Sequence, residues 1–397
     1  MTAWLDVIGL GEDGLDGLSP AARTRLEAAE IVIGAPRHQH LAADVYGERV
    51  TWPTPFRTMR DEITEYRGRP TAILVSGDPL WFSVGSHFLK LFPDDEVTFH
   101  PQLSSFQWAA LRMKWSLADV ETLTVHGRPA EQILPWVSPG ARLLVLTRDG
   151  DSPTEIARLL DQSGFGPSQM TVLAHLGGTE EARHDGTAAT WTGQAPNLHV
   201  LAIQCEAELD HVPLPQTGLP DEAFEHDGKM TKQEVRSITL AALAPRRGAM
   251  LWDIGLGCGS VAIEWMRAAR DTRAIGIEPL ANRRAMAATN ASRLGTPGLQ
   301  IIEGRAPDAL LDLPKPDAVF IGGGLTEGTA THALAALKAH GRLVANAVTL
   351  ESEATLLKLH AAHGGMLRRI SIDRAKPVGP YHGWHSFMPV TQWVLTT

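Results

Sequence analysis

The sequence has few cysteines, no long apolar run and no excess of positive charge. Cys205 and Cys258 are the only cysteines among 397 residues. They do not indicate a disulfide framework, so we expect a reducing compartment, the cytoplasm. Apolar runs stay below the roughly 18 residues that a membrane span needs, and we expect no leader, since no basic segment precedes the first predicted strand. The net charge of −9 argues against nucleic acid as a partner.

The length and composition are those of an ordinary globular protein with more than one domain. Hydrophobic residues make up 44% of the chain and charged residues 20%. A chain of this length is expected to form two or three domains, each with its own core. Residues 206–220 are rich in proline and acids and lack apolar periodicity, which predicts a linker. We therefore expect one domain over residues 1–205 and another over residues 221–397.

Strand and helix signals alternate in both predicted domains. Apolar strands are predicted at Leu5–Gly9 and Thr71–Ser76 in the first domain and at Ala249–Ile254 in the second, with helices between the strands. This alternation predicts α/β domains with open, mostly parallel sheets and helices on both faces. Ligands of such sheets bind at the carboxyl ends of the strands. A strand pair near 367–373 and 388–395 is predicted to close the chain.

A glycine-rich turn in the second domain is the most informative motif. Asp253 ends an apolar strand, Gly255, Gly257 and Gly259 alternate after it, a helix follows, and Glu278 ends the next strand. Glycines let the backbone approach a ligand, and the helix offers free N–H groups. An acid at the second strand end can accept both hydroxyls of a ribose. The sequence therefore predicts a βαβ unit that binds a nucleoside-bearing cofactor.

The spacing of the turn favours one class of cofactor. It reads Gly-x-Gly-x-Gly after an acid, not the Gly-x-Gly-x-x-Gly of dinucleotide-binding folds, and it resembles motif I of class I S-adenosylmethionine (SAM) methyltransferases. An acidic strand end suits the ammonium group of SAM, which has no pyrophosphate. A glycine-rich turn of another nucleotide-binding fold is the alternative. The resemblance implies a Rossmann-like C-terminal domain with SAM contacts at Asp253, Gly255, Leu256, Gly257, Cys258, Gly259 and Glu278.

Three further segments extend this resemblance: Gly228–Arg236, Glu303–Pro307 and Ala318–Gly324. Together they resemble the methyltransferases of cobalamin biosynthesis that act on carbon 15 of a precorrin. This resemblance implies that Thr231 contacts SAM and that the backbone of Ala306 borders the adenine. Arg305 stands where that family usually has aspartate, which puts in doubt an adenine contact through a carboxylate there.

The first domain carries its own ordered series of motifs: Leu5–Gly14, Ala72–Gly85, Phe99–Phe106 and Leu176–Glu181. In this order they resemble the tetrapyrrole methylase family, an unrelated SAM fold of two α/β subdomains, and within it the enzymes that methylate carbon 5. The resemblance implies SAM contacts at Gly9, Gly11, Gly77, Asp78, Pro79, Phe82, Ser104, Ser105 and Gly178. Glu12 and Asp13 replace the family's usual Pro-Gly, which weakens any assignment of a SAM contact to Glu12.

Both halves on one chain resemble the bifunctional enzymes of aerobic cobalamin biosynthesis. The resemblance implies SAM as cofactor and a precorrin, a tetrapyrrole, as substrate. It implies methylation of carbon 5 by the first domain, and methylation of carbon 15 with loss of the ring C acetate carboxyl by the second. We expect a homo-oligomer and no membrane partner. Two alternatives remain open. One is a SAM methyltransferase of RNA or of a small metabolite with a fused accessory domain. The other is a scaffold in which one domain has lost SAM binding.

No motif identifies a catalytic side chain or a metal site. His226, His382 and His385 flank the motifs of the second domain without a cysteine or carboxylate at metal-ligand spacing, so we expect surface or capping roles and no metal. Lys232 and Arg236 lie one helical turn apart. They are expected either to bind substrate carboxylates or to lie on a solvated helix face.

Overall fold

The computed structural model describes residues 3–52 and 58–397. The chain divides into two compact units. Unit 1 comprises Met1–Ala130 and Ser138–His211, and unit 2 comprises Glu131–Val137 and Val212–Thr397. The passage from unit 1 to unit 2 after His211 lies within the predicted linker. Nothing in the sequence indicated that the short segment Glu131–Val137 groups with unit 2.

Strands and helices alternate over most of both units, as expected, but several strands follow one another directly at the end of each unit. In unit 1 they are β1 Leu5–Leu10, α1 Pro20–Glu27, β2 Ile31–Gly34, α2 Pro36–Leu41, β3 Glu48–Thr51, α3 Met59–Thr64, β4 Thr71–Ser76, α4 Gly85–Leu91, β5 Val97–His100, α5 Ser105–Met113, β6 Glu121–Thr124, β7 Arg142–Leu146, α6 Ser152–Gln162, β8 Gln169–Ala174, β9 Ala182–Thr187 and β10 His199–Gln204. In unit 2 they are α7 Gln233–Leu243, β11 Met250–Ile254, α8 Ser260–Ala268, β12 Arg273–Ile277, α9 Ala281–Arg293, β13 Gln300–Ile302, β14 Ala318–Ile321, α10 Glu327–Ala336, β15 Arg342–Ala347, α11 Leu350–His363, β16 Met366–Ile370, β17 Asp373–Val378, β18 Tyr381–Ser386 and β19 Val390–Thr396.

The first sheet of unit 1 is parallel, in the order β3-β2-β4-β1-β5. Every residue of β1 is buried, as expected of a central parallel strand covered on both faces. The one acid in this strand, Asp6, accepts hydrogen bonds from Arg25 and lies 2.8 Å from Nε2 of His100, so the buried carboxylate is paired. Because β1 and β4 are neighbours, the loops that follow them share one edge of the sheet.

The second sheet of unit 1 is mixed, in the order β6-β7-β10-β8-β9. β10 runs antiparallel to both β7 and β8, and β9 runs antiparallel to β8. The expectation of mostly parallel sheets therefore holds for the first sheet but not for this one. The sequence missed β9 because Ala182–Thr187 is polar and mostly exposed and so lacks the alternation that marks a half-buried strand.

Unit 2 contains a seven-stranded sheet in the order β13-β12-β11-β14-β15-β19-β16. The first five strands in this order are parallel, and β19 runs antiparallel to β15 and β16. Starting from β11, the chain adds β12 and β13 on one side and β14 and β15 on the other. The strand order therefore reverses between β11 and β14, and such a point forms the binding crevice of an open α/β sheet.

A separate hairpin of β17 and β18 lies between β16 and β19 in the chain. The sequence predicted only the flanking strand pair, since Pro377, Gly379 and Gly383 interrupt any apolar alternation here. Most of the hairpin is exposed, including Tyr381 at 76% and Trp384 at 79%.

The segment predicted as a linker is hydrogen-bonded at both ends. The backbone N–H of Glu206 donates to Oγ of Ser168 at 3.0 Å. At the other end, the backbone N–H groups of Gly218 and Leu219 donate to the buried carboxylate of Glu264 at 2.5 and 3.1 Å. These bonds attach its beginning to unit 1 and its end to unit 2. Within residues 3–52 and 58–397, no helix combines the length and apolar character needed to cross a bilayer.

Candidate cofactor sites

The glycine-rich loop of unit 2 lies between β11 and α8, at the strand-order reversal. Gly255, Gly257 and Gly259 have φ of +77°, +57° and +85°, a region that glycine adopts without penalty. A Cβ on Gly255 would come within 2.6 Å of the backbone nitrogen of Gly323, so the loop after β14 packs directly against it. A Cβ on Gly257 would meet no atom within 4 Å. Gly257 therefore borders open space that a ligand can enter.

Asp253 is a buried acid with an unused acceptor. It is 1% exposed, and its Oδ2 accepts a hydrogen bond from the backbone N–H of Ala262 in the first turn of α8 at 3.0 Å. Its Oδ1 is buried without a hydrogen-bond partner among the described residues. Burial raises the pKa of Asp253 to about 8, and the charge of Glu278 acts in the same direction. Such a carboxyl is protonated near neutral pH until a cation reaches it.

Glu278 follows β12 and turns back towards the glycine loop. It is 2% exposed, and its Oε2 accepts a hydrogen bond from the backbone N–H of Gly257 at 2.9 Å. Its Oε1 accepts one from the backbone N–H of Leu280 at 3.0 Å. Each carboxylate oxygen can accept a further hydrogen bond, so these contacts leave acceptor positions for the ribose hydroxyls that the sequence predicts.

The other residues of the loop hold its shape. The side chain of Leu256 packs on Gly276, where a Cβ would come within 2.5 Å of it. The carbonyl of buried Cys258 accepts a hydrogen bond from Nδ2 of Asn290 at 3.0 Å. The backbone N–H of Gly259 donates to the carbonyl of Leu256 at 3.0 Å. Sequence reasoning missed Asn290, which lies in the last turn of α9 where no motif marks it.

A buried arginine connects Thr231 to α8, the helix that follows this loop. Nη1 of Arg236 donates to the carbonyl of Thr231 at 2.7 Å, and Nε donates to Glu264 of α8 at 2.5 Å. Arg236 is fully buried, also pairs with Asp221 at 3.2 Å, and lies over the ring of Phe224 at 4.8 Å. Both roles expected of Arg236, on a solvated face or on substrate carboxylates, are therefore wrong. Its guanidinium is surrounded by protein acceptors and positions the Thr231 segment.

Ala306 lies beyond β13, the neighbour of β12, and packs partly buried against the core of unit 2. Arg305 beside it is exposed. The carboxyl ends of β11, β12 and β13 thus present Asp253, Glu278 and Ala306 in the order of the sheet. These acceptors fit a cofactor with an ammonium group and a ribose, because Oδ1 of Asp253 has no hydrogen-bond partner among the described residues and Gly257 borders open space.

In unit 1, three of the predicted cofactor loops meet at the edge of the first sheet. A Cβ on Gly9 would lie 2.2 Å from the carbonyl oxygen of Gly77, and a Cβ on Gly77 would lie 3.1 Å from Cα of Ser104. The backbone N–H of Gly77 also donates to the carbonyl of Leu10 at 3.0 Å. The loops after β1 and β4 and the start of α5 therefore pack backbone to backbone, and side chains would keep them apart.

The loop after β4 continues as a tight turn. Oδ1 of Asp78 accepts a hydrogen bond from the backbone N–H of Leu80 at 2.8 Å, with Pro79 between them. Phe82 has φ +50° and is 45% exposed, with its ring 5.8 Å from that of Phe106. Ser104 caps α5, whose first residue is Ser105, by accepting a hydrogen bond from the Gln107 backbone N–H at 3.4 Å.

The remaining predicted contacts, Gly11 and Gly178, lie beside two acids. A Cβ on Gly11 would come within 2.3 Å of Oδ1 of Asp13, and a Cβ on Gly178 within 2.8 Å of Cβ of Glu12. Burial raises the pKa of the Asp13 carboxyl. Glu12 itself bonds to two basic side chains, one at the start of α2 and one from the loop after β8. The sequence gave no signal for these partners, because they lie far from Glu12 in the chain.

The histidines singled out from the sequence do not converge. Nδ1 of His226 accepts a hydrogen bond from the backbone N–H of Gly228 at 2.9 Å, which is a local turn. His382 and His385 lie on the exposed strand β18. No group of three or more potential metal ligands occurs among residues 3–52 and 58–397.

Two family models match the chain, one in each half. The model described as tetrapyrrole (corrin/porphyrin) methylases matches residues 5–191, and the model described as a precorrin methyltransferase domain matches residues 222–397. Together with the α/β folds and glycine loops, these matches define a methyltransferase whose two halves both belong to methylase families.

Three curated relatives extend these matches. The chain is 47% identical over 400 residues to a precorrin-6Y C(5,15)-methyltransferase [decarboxylating] from Sinorhizobium sp., covering 100% of this chain and 97% of the relative. It is 38% identical to a probable cobalt-precorrin-6B C(15)-methyltransferase (decarboxylating) from Pyrobaculum calidifontis, covering 35% of this chain and 74% of that one. It is 26% identical to a cobalt-precorrin-7 C(5)-methyltransferase from Salmonella typhimurium, covering 52% of this chain and 96% of that one.

The chain belongs to the precorrin-6Y C(5,15)-methyltransferase (decarboxylating) family. It is therefore a methyltransferase enzyme, and the methyltransferases of this family use SAM as their cofactor.

Proposed function

We propose that this enzyme methylates a precorrin of the 6Y type at carbons 5 and 15 and removes the carboxyl group of the ring C acetate. The name and full-length identity of the Sinorhizobium relative are the observation that carries the proposal. The two glycine-lined strand edges in two different folds support it, since each offers a separate place for SAM. SAM, when bound, supplies an electrophilic methyl group on a sulfonium.

The protein's share of this chemistry is alignment and shielding. A meso carbon of a reduced macrocycle is a competent nucleophile, so much of the rate can come from holding donor and acceptor in line. In unit 2, we assign Asp253 to the ammonium of the cofactor, Glu278 to its ribose, and the backbone around Gly257 to its close approach. Thr231 and Ala306 complete the set. The closed geometry around Gly255 and the buried Arg236 keep these groups in place.

Unit 1 receives the second proposed SAM site. The loops that carry Gly9, Gly77 and Ser104 meet there, and Asp78 fixes the turn after β4. We assign methylation of carbon 5 to this unit, because its family model describes tetrapyrrole methylases. Methylation of carbon 15 and decarboxylation are assigned to unit 2, whose family model describes a precorrin methyltransferase domain.

Counting SAM sites on the intact chain tests this proposal against its alternatives. Isothermal titration of the full-length protein with SAM is expected to give two sites per chain. Glu278→Ala is expected to weaken one of them and Gly77→Trp to eliminate the other. A single site that only one of these variants affects would favour a scaffold half. Methyl transfer to RNA but not to a precorrin would favour the RNA alternative, which the net charge of −9 opposes.

We further propose that the protein is a homo-oligomer that uses the hairpin of β17 and β18. An isolated two-stranded sheet is marginal in water, and this one exposes Val378 at 63%, Tyr381 at 76% and Trp384 at 79%. Trp384 and Tyr381 lie three residues apart on β18 and so face opposite sides of the hairpin, and a second copy packed on the side of Trp384 would cover that side chain. Light scattering of Trp384→Glu is expected to give a smaller assembly than the wild type, whereas an unchanged mass would exclude this surface.

The proposed compartment is the cytoplasm, because both cysteines are buried free thiols. Burial raises the pKa of Cys205 to about 12 and also raises that of Cys258, so neither is a reactive thiolate at neutral pH.

A further inference from the structure

Unit 1 contains a cluster of titratable side chains that the cofactor assignments do not use. Oε1 of Glu12, in the loop after β1, accepts a hydrogen bond from Nε of Arg37 at 2.7 Å. Oε2 of Glu12 lies 3.0 Å from Nδ1 of His175, in the loop after β8. The Glu12 and His175 side chains are 16% and 26% exposed. A carboxylate in a loop of the first sheet thus contacts an imidazole in a loop of the second sheet of the same unit.

The contact fixes the proton positions on this pair. Burial alone would raise the pKa of Glu12, but the hydrogen bonds from His175 and Arg37 outweigh it and hold that pKa below its ordinary value. Glu12 is therefore ionised at neutral pH and can only accept hydrogen bonds. Nδ1 of neutral His175 must then carry the hydrogen, which leaves a lone pair on Nε2.

Nε2 of His175 is available to a substrate. It makes no hydrogen bond within residues 3–52 and 58–397. It is also not one of the buried polar atoms that lack a partner in that part of the chain. A histidine held by a carboxylate at Nδ1, with Nε2 open, is the arrangement of an oriented general base.

The backbone of His175 is held by hydrogen bonds on both sides of the peptide unit. His175 has φ +48°, the left-handed region that non-glycine residues adopt at a cost. Its own N–H donates to the carbonyl of Leu198 at 3.1 Å, and its carbonyl accepts a hydrogen bond from Gly178 at 3.0 Å. The surrounding backbone therefore holds the imidazole where it is.

The pair lies between two of the proposed cofactor loops. Glu12 directly follows Gly11. A Cβ built on Gly178 would lie 2.8 Å from the Cβ of Glu12. A proton acceptor at this place is close to the loops that would hold the methyl donor of unit 1.

We propose that His175, oriented by Glu12, is the general base of methylation at carbon 5 in unit 1. This inference rests on the proposed function. The reaction forms a bond between carbon 5 and the methyl carbon, breaks the bond between that carbon and sulfur, and leaves the electron pair on sulfur. The proton that carbon 5 loses goes to Nε2 of His175, and Glu12 stabilises the resulting imidazolium without itself changing protonation state.

Few other charges face this pair. Arg37 contacts Glu12 on the side away from the imidazole and also donates to Oγ of Ser76 at 3.2 Å. His38 lies 2.9 Å from the same hydroxyl, and burial lowers its pKa to about 4, so it stays neutral in the relevant range. On the loop of His175, Glu181 accepts a hydrogen bond from the backbone N–H of Gly177 and pairs with Arg112. Asp13 lies beside Glu12.

His175→Asn tests the role of Nε2 with little change in structure. Asparagine tolerates positive φ, and its amide nitrogen can replace Nδ1 as the donor to Glu12, but it has no counterpart of Nε2. We expect the rate of carbon-5 methylation by the full-length protein to fall by about 100-fold or more. SAM binding by unit 1, carbon-15 methylation and decarboxylation are expected to be unchanged. His184→Asn, an exposed histidine on β9, is the matched control and is expected to behave as the wild type.

The pH profile separates a base from a structural residue. The wild-type rate at carbon 5 is expected to fall at low pH, because a base must be unprotonated to accept the proton, and His175→Asn is expected to lack this acid limb. Glu12→Gln removes the charge that stabilises the imidazolium, so its acid limb is expected at lower pH. If His175→Asn abolished SAM binding, the Glu12→Gln profile would decide, since a wild-type profile there overturns the proposal.

A spectroscopic readout does not depend on turnover. Nitrogen-15 NMR of histidine-labelled full-length protein, with His175→Asn for assignment, is expected to show His175 protonated on Nδ1. An Nε2-protonated tautomer, or a carbon-5 rate in His175→Asn within a few-fold of the wild type, would overturn the inference. A wild-type protein that methylates neither carbon would instead refute the proposed function.

Discussion

Replacing Asp253 with asparagine separates the stability of unit 2 from its affinity for SAM. The wild-type carboxyl is 1% exposed, accepts one hydrogen bond from Ala262, and has a second oxygen without a partner. Asparagine has nearly the same shape, and its oxygen can still accept the hydrogen bond from Ala262. It cannot ionise, so it removes the cost of a buried charge together with the acceptor proposed for the cofactor's ammonium.

The sign of the pH effect follows from the raised pKa. Burial raises the pKa of Asp253 to about 8 in the folded protein, while the unfolded value is that of an ordinary aspartate, about 4. The folded state therefore holds the proton more tightly, and stability falls as pH rises between these two values. The slope is at most about 1.4 kcal/mol per pH unit, and the whole effect is at most on the order of 5 kcal/mol.

Hydrogen exchange of the full-length protein measures this effect locally. Peptides spanning β11 and α8, corrected for intrinsic exchange rates, are expected to lose protection between pH 5 and pH 8 in the wild type and much less in Asp253→Asn. The variant is expected to exceed the wild type in stability at pH 8, yet to bind SAM in unit 2 about 10- to 100-fold more weakly, as expected for a lost charge-assisted hydrogen bond. The exposed Asp308→Asn is the control. Equal slopes with unchanged affinity would refute both the raised pKa and the ammonium contact.

Three further predictions test the remaining assignments. Glu278→Ala is expected to raise the SAM dissociation constant of unit 2 by about 10- to 100-fold, and calorimetry that finds no change would remove the ribose assignment. Gly77→Trp is expected to stop methylation at carbon 5 alone, and a product analysed by mass spectrometry that also retained the acetate carboxyl would contradict the division between the units. A fragment of residues 212–397 is expected to bind SAM and to unfold at higher urea than one of residues 221–397, because the shorter fragment lacks the two backbone donors to Glu264. Equal urea midpoints would show that these donors contribute little.

The sequence was most informative where function depends on backbone. The alternation of glycines after Asp253 and the acid at Glu278 predicted the loop between β11 and α8, because glycine adopts the positive φ angles of this loop without penalty. Strands such as Thr71–Ser76 matched the structure residue for residue, since a buried parallel strand is a continuous apolar run.

What the sequence missed depends on contacts between distant residues. The partners of Glu12, one on α2 and one in the loop after β8, lie 25 and 163 residues away in the chain, and no local pattern marks them. The role of Arg236 was wrong for the same reason, because spacing along a helix does not reveal that Glu264 and the carbonyl of Thr231 surround its guanidinium. The hairpin of β17 and β18 was missed because exposed strands with proline and glycine carry little periodic signal.

The central claim is that one chain performs two methylations and one decarboxylation at two separate sites. Mass spectrometry of the product formed by the full-length protein from SAM and a reduced precorrin tests it most directly. We expect a gain of two methyl groups and the loss of one carbon dioxide. Gly77→Trp is expected to give one methyl group with carbon dioxide still lost. A wild-type product with a single methyl group, or one that keeps every carboxyl group, would contradict the account.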